Sequence, residues 1–244
     1  LKYDYFSPNE KNRLSIFASA ANTDRDSYYG PGNDPLKAYG KTTDLIAMGG
    51  AQYVHTFDKC LFMPSDLTAG LEYNRDRLKD NMWGYDRHTD QTVNIYSAFL
   101  QNEWKNERWS ILVGGRLDKH NMVDNIIFSP RANLRFNPTQ NINLRLSYSS
   151  GFRAPQAFDE DMHIENVGGT VAMIERTKNL KEEKSQSFSA SADIYHRFGA
   201  FQTNFLIEGF YTKLTDVFVL GEPYNRGDGV LVKLRSNGPG AKVV

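Results

Sequence analysis

Residues 147–161 read SYSSGFRAPQAFDED. The strand leading into them alternates cleanly. Ile142, Leu144, Leu146 and Tyr148 fall on one face, with Asn143, Arg145, Ser147 and Ser149 on the other. At Arg153-Ala154-Pro155 the alternation stops, and Pro155 removes a ladder donor, which ends strand pairing. Beyond it runs an acidic, irregular stretch much longer than the few residues of an ordinary hairpin connection. A perfectly patterned strand that opens into an oversized connection is the feature the fold has to explain.

Working outward, the same unit recurs. Leu14, Ile16, Ala18 and Ala20 alternate with Ser15, Phe17 and Ser19. Leu45 to Phe57, Leu67 to Tyr73, Trp109 to Leu117 and Phe128 to Phe136 repeat the period of two. So do Phe188 to Phe198 and Phe201 to Tyr211, while 91–104 carries apolar residues on both faces. With a final strand in 230–244, this pattern predicts about ten antiparallel strands with one apolar and one polar face, and almost no helix.

Alternation alone fits both a soluble sandwich, apolar face inward, and a membrane barrel, apolar face toward lipid. Three features favour the barrel. The strands run to about ten residues, the length of a tilted bilayer crossing. Their apolar faces mix Ala and Gly with aromatics, a poor jigsaw core but an adequate lipid surface. The connections also alternate. Residues 58–65, 105–107, 137–141 and 197–200 form a short set, and 21–40, 75–90, 119–127, 151–182 and 214–229 a long one. Tight turns at one end and extended loops at the other mark an up-and-down outer-membrane barrel. Trp104, Trp109, Phe136, Phe198 and Phe201 gather at the short-turn end, Tyr148 and Phe152 at the other.

Composition excludes several classes. The 244 residues carry 29 basic and 29 acidic side chains, a balance that gives no support to a nucleic-acid partner. No run of about 18 apolar residues is present to form a membrane helix. Cys60, the one cysteine, leaves no internal disulfide and no thiolate cage. Leu1 opens LKYDYF without a basic segment and apolar core, so no signal peptide is expected there. Nucleotide-binding, hydrolase and zinc-protease signatures are missing, so no enzyme activity, cofactor or metal site is expected.

The run RANLRFNPTQNINLRLSYSSGFRAPQAFDED, then NLKEEKSQSFSASADIYHRF and FLIEGFYTKLTDVFVL, resembles the barrel of TonB-dependent outer-membrane receptors. A strand ending in Ser-x-Gly-Phe-Arg-Ala-Pro enters an extracellular loop in that family. An Asn-Leu-x-x-Glu-x-Ser element, here Asn179, Leu180, Glu183 and Ser185, resembles the one that opens the next crossing in that family. The motifs are specific over 128–217; the first 80 or so residues agree in pattern only. The style is nearer the siderophore and cobalamin branch than the large glycan importers.

The resemblance implies an all-β, antiparallel up-and-down transmembrane β-barrel segment. Residues 1–244 would be a partial receptor barrel, about ten strands of about 22, with the plug domain absent and edges near 12–20 and 230–244. It implies a place in the bacterial outer membrane and uptake of a scarce nutrient, an iron chelate, haem or a corrinoid. The partners would be outer-membrane lipid, the ligand, and a TonB-type energy-coupling protein acting through the plug. A passive porin-like channel stays open as the alternative.

Candidate ligand-facing residues are Tyr28, Tyr29, Phe152, Arg153, Asp159, Asp161 and His163. Tyr28 and Tyr29, beside Gly30-Pro31-Gly32, offer a stacking surface, or belong to an interfacial belt. Phe152 and Arg153 sit at the expected outer rim. Asp159, Glu160, Asp161, His163 and Glu165 could meet a cation or ligand. The preferred reading is a solvated acidic loop, since their spacing matches no known calcium loop. Arg131, Arg135 and Arg145, on the polar face, are expected to pair with carboxylates of a plug or of neighbouring strands.

Overall fold

The computed structural model describes residues 1–28, 39–157, 159–162, 165–167, 170–227 and 230–244, with backbone only at 159, 160, 165–167, 170 and 171. In chain order the strands are β1 (Lys2–Phe6), β2 (Asn12–Tyr28), β3 (Tyr39–Cys60), β4 (Met63–Met82) and β5 (Arg87–Lys105). Next come β6 (Trp109–His120), β7 (Ile127–Thr139), β8 (Ile142–Arg153), a single turn of helix α1 (Asp159–Met162), β9 (Glu165–Val167) and β10 (Thr170–Arg176). The chain continues with β11 (Glu183–Phe198), β12 (Phe201–Thr215), β13 (Phe218–Leu220), β14 (Tyr224–Asn225), β15 (Val230–Asn237) and β16 (Ala241–Val243).

Eleven strands form one antiparallel sheet in the order β1-β2-β3-β4-β5-β6-β7-β8-β11-β12-β16. This is the up-and-down arrangement expected, with one more strand than the pattern gave. β1 was not foreseen, because LKYDYF is too short to show a period. The sheet's edges are therefore β1 in place of 12–20, and β16, the last few residues of the expected 230–244. Most of the expected last strand, Val230–Asn237, belongs elsewhere.

Register assigns the faces. Leu14, Tyr53, Ala69 and Leu100 lie side by side across β2 to β5, as do Leu134, Leu146, Ala190 and Gly209 across β7 to β12. That face is apolar and open: Leu71 is 66% exposed and Leu146 55%. The opposite face carries Gln52, Glu72, Ser97, Arg116, Arg131 and Ser149. Aromatics stack near the short turns, Trp109 on Phe136 at 4.1 Å and Phe62 on Trp104 at 5.6 Å. A second level lies higher, Tyr73 with Tyr96 and Tyr148 with Phe188.

Among the described residues, two of the five long connections are mostly strand. β2 and β3 stay paired up to Tyr28 and Tyr39, and β4 and β5 up to Met82 and Arg87, where a 3-10 turn at Trp83–Tyr85 reverses the chain. Above the Tyr73–Tyr96 level even the formerly apolar face becomes polar, with Asn22, Asp24, Thr43, Arg75, Arg77 and Asn94. Hydropathy loses its period there, but a backbone ladder needs only paired N–H and C=O groups, and these continue.

Two more, 154–182 and 216–240, fold together. β10 and β15 pair in parallel from Val171↔Val230 to Arg176↔Arg235, flanked by β9 and β13, with β14 also on β15. Most of the buried apolar contacts gather at this end. Met82, Met173 and Val230 form one cluster against Tyr85, and Val123, Ile127 and Ala154 another against Phe152. Met82 is on the polar face of β4, in register with Gly40. The small sheet therefore leans over the polar face at the upper ends of β3 to β5.

Candidate ligand-binding site

The site grows from the meeting of that small sheet with the polar face. Asp80, on β4, accepts from the Thr42 hydroxyl at 2.6 Å and from Arg87 Nη2 at 2.7 Å. The same Nη2 donates to the Met162 carbonyl at 2.7 Å, and Nη1 to the Asp161 carbonyl at 3.4 Å. Arg87 thus ties the main sheet to the last turn of α1. Gln91 Oε1 receives Arg176 Nη1 at 2.9 Å and the Ala157 amide at 2.8 Å. Arg176 also reaches the Pro155 carbonyl, and Arg226 Nη2 the Tyr85 carbonyl at 2.9 Å.

These contacts frame a cavity of about 620 Å³ lined by Arg87, His88, Arg176, Lys178 and Arg226, with Asp86, Asp161 and Glu175 among the acids. Cationic donors outnumber carboxylates on its wall. Burial, together with neighbouring Arg235, lowers the Arg176 pKa from its ordinary value, against the opposing pull of Asp161. Burial raises the Tyr85 phenol, and Tyr28 adds to that shift. Among the described residues no three His, Cys, Asp or Glu side chains come together as a metal cluster.

Below this cavity a second polar hollow of about 430 Å³ lies on the same face, around Glu72, Arg116 and Arg131. Arg116 donates to Glu72 at 2.6 Å, to Asp118 at 2.8 Å and to Ser97 at 2.7 Å. Arg131 hydrogen-bonds Gln101, and Arg145 donates to Asn143 at 2.7 Å. Among the described residues none of Arg131, Arg135 and Arg145 pairs with a carboxylate, and Arg135 stands directly opposite Arg145. The expected pairing with neighbouring strands is therefore not made.

The sequence candidates separate. Asp161 is not solvated: it is 7% exposed and paired with Arg235, itself 4% exposed, so the solvated-loop reading is corrected there. An acidic run says nothing of a guanidinium far along the chain. Phe152 packs against the Val123 cluster, and the Arg153 guanidinium lies 5.5 Å from the Phe218 ring centre. Tyr28 makes an edge-on contact with Tyr39 at the top of the sheet. Asp159 begins α1, its side chain outside the described residues, as are Tyr29 and His163. Sequence reasoning missed Arg87, Arg176, Arg226 and Gln91, whose partners come from distant connections.

A family model for the TonB-dependent receptor-like β-barrel matches residues 1–238. Among solved structures, the siderophore receptor PirA from Acinetobacter baumannii is 16% identical, with a TM-score of 0.70, covering 99% of this chain and 40% of that one. PirA from Pseudomonas aeruginosa is 12% identical, TM-score 0.66, over 95% and 46%. A ferric enterobactin receptor mutant (PfeA, Q482A) of P. aeruginosa, in complex with enterobactin, is 17% identical, TM-score 0.71, over 99% and 39%. This chain thus spans less than half of each of those structures. No curated protein sequence matches. The chain belongs to the TonB-dependent receptor β-barrel family.

Proposed function

We propose that residues 1–244 form part of the wall and mouth of a bacterial outer-membrane receptor that takes up an anionic metal chelate of siderophore type, energised by a TonB-type protein through a plug domain. The observation that carries this reading is the small sheet folded over the polar face, enclosing a cavity rich in Arg and Lys. Guanidinium groups suit carboxylate or catecholate oxygens, because their donors form a planar fork. The likeness to siderophore receptors supports a chelate over haem or a corrinoid. The match to the TonB-dependent receptor-like β-barrel over residues 1–238 argues against the passive-channel alternative.

In this reading the apolar face contacts lipid. Phe128 and Phe136 bracket it on β7, about 27 Å apart along the strand at a strand rise of ~3.4 Å. Arg131, Arg135 and Arg145 then offer cations toward plug carboxylates.

The test is to express the complete open reading frame in a Gram-negative host, with and without TonB. Fractionation with outer membranes and TonB-dependent uptake of a radioactive ferric catecholate support the reading. Uptake equal in both hosts favours a passive channel, and a protein soluble without detergent refutes the membrane role.

A further inference from the structure

The apolar face holds a recess that ligand uptake leaves unused. Across β7, β8, β11 and β12 the row Leu134, Leu146, Ala190, Gly209 sits below the row Ala132, Tyr148, Phe188, Tyr211. Ala190 and Gly209 floor a trough of about 750 Å³, walled by Leu134, Leu146, Phe188 and Tyr211. A Cβ added at Gly209 would meet nothing within 4 Å, so the trough is open.

One row higher on the same face the chemistry changes. Gln186, Lys213 and Lys242 stand side by side, and Lys184 follows in the next row. All three lysines are exposed, at the end that bears the long connections. Lys184 is 2.9 Å from Glu182, whereas Lys213 and Lys242 have no ion-pair partner among the described residues. Lys213 lies four residues beyond Gly209, about 13 Å along the strand. Tyr148, Phe188 and Tyr211 between them fit the aromatic level where hydrocarbon gives way to headgroups.

We propose that this trough and its lysines bind one phosphorylated, multiply acylated lipid of the outer leaflet, an acyl chain in the trough and a phosphate on Lys213 and Lys242. Charge complementarity selects this occupant. Two adjacent lysines repel one another unless excess negative charge lies between them, and a zwitterionic lipid, whose phosphate brings its own cation, adds no net negative charge. The proposal rests on the reading that the apolar face meets lipid.

The experiment uses the complete receptor, extracted in mild detergent and titrated with hexa-acyl lipid A carrying two phosphates, with bound lipid counted by native mass spectrometry. Dephosphorylated lipid A and phosphatidylethanolamine are the comparisons. Binding is expected to weaken about tenfold on loss of the phosphates or in Lys213→Glu/Lys242→Glu, at roughly the worth of surface lysines toward anionic lipid. Lys213→Gln/Lys242→Gln, which adds no acidic charge, should weaken it in the same direction. Ala190→Phe should displace the acyl chain, and Lys59→Glu, near a short turn, should change nothing. Equal binding of phosphorylated and dephosphorylated lipid, or unchanged binding in both lysine pairs, would overturn the proposal. So would a receptor dimer that Ala190→Phe abolishes, since a second copy would then fill the trough. A receptor that reaches the outer membrane without such discrimination fails here alone; one that never reaches it fails the functional reading.

Discussion

Asp161 and Arg235, 74 positions apart in the chain, meet in a buried ion pair: Nη1 donates to Oδ2 at 3.2 Å, and Nη2 lies 2.9 Å from Oδ1. One residue lies in the turn of α1 and the other on β15, so the pair pins the β8–β11 connection to the β12–β16 connection. Arg87 holds the same turn from the other side through the Asp161 and Met162 carbonyls.

Removing one partner leaves the other charge buried, a loss of about 3–5 kcal/mol where both are desolvated. Asp161→Ala should therefore loosen the small sheet, more so because Arg235 and Arg176 would then repel without the carboxylate. Limited proteolysis of the receptor should show faster cutting within 154–182 and 216–240, with the main sheet unaffected. Asp161→Leu/Arg235→Met should recover most of the protection, since a matched apolar pair carries no stranded charge. Equal protection of native and Asp161→Ala protein would contradict the pinning role.

The two faces should respond oppositely to charge. Leu146 is on the apolar face, while the Ser147 hydroxyl lies 2.6 Å from that of Ser189 on the polar one. Leu146→Arg should impair assembly into membranes by about 2–4 kcal/mol if it sits near the midplane. Ser147→Arg should be tolerated. Heat-modifiable mobility on gels measures both, and identical behaviour would reverse the assignment of faces.

Gly70 makes a local prediction. The Phe99 ring lies across it on the polar face, so an added Cβ would come 2.3 Å from Cζ and 3.0 Å from the Ala51 carbonyl oxygen. Gly70→Ala should displace the ring and cost about 1–3 kcal/mol as overpacking. Adding Phe99→Leu should relieve much of it. Unfolding midpoints in urea test both, and additive losses would show that the two positions do not touch.

The main sheet was legible because a lipid-type face and a polar face impose a period of two, as in Ile142 to Tyr148, and because short turns such as 105–107 break it sharply. Where both faces are polar the signal disappears, which is why 21–28 and 75–82 read as loops although their ladders are unbroken. The small sheet was illegible for another reason. Val171 pairs with Val230 and Asp161 with Arg235, and no local pattern reports such distant partners. Candidate site residues fared accordingly: Asp161 was singled out for its charge, but Arg87 and Arg176 became visible only once the connections met.

Sidedness tests the central claim most directly. Asn179 is exposed at the long-connection end, and Thr139 lies beside the short turn that joins β7 to β8; buried Asp161 is unsuitable as a probe site. Cys60 is first replaced by Ser, and single cysteines are then placed at Asn179 or Thr139 in the complete receptor. Intact cells are treated with a membrane-impermeant maleimide. The account predicts strong labelling at 179 and none at 139 until the outer membrane is permeabilised. Equal labelling of the two sites in intact cells would contradict it.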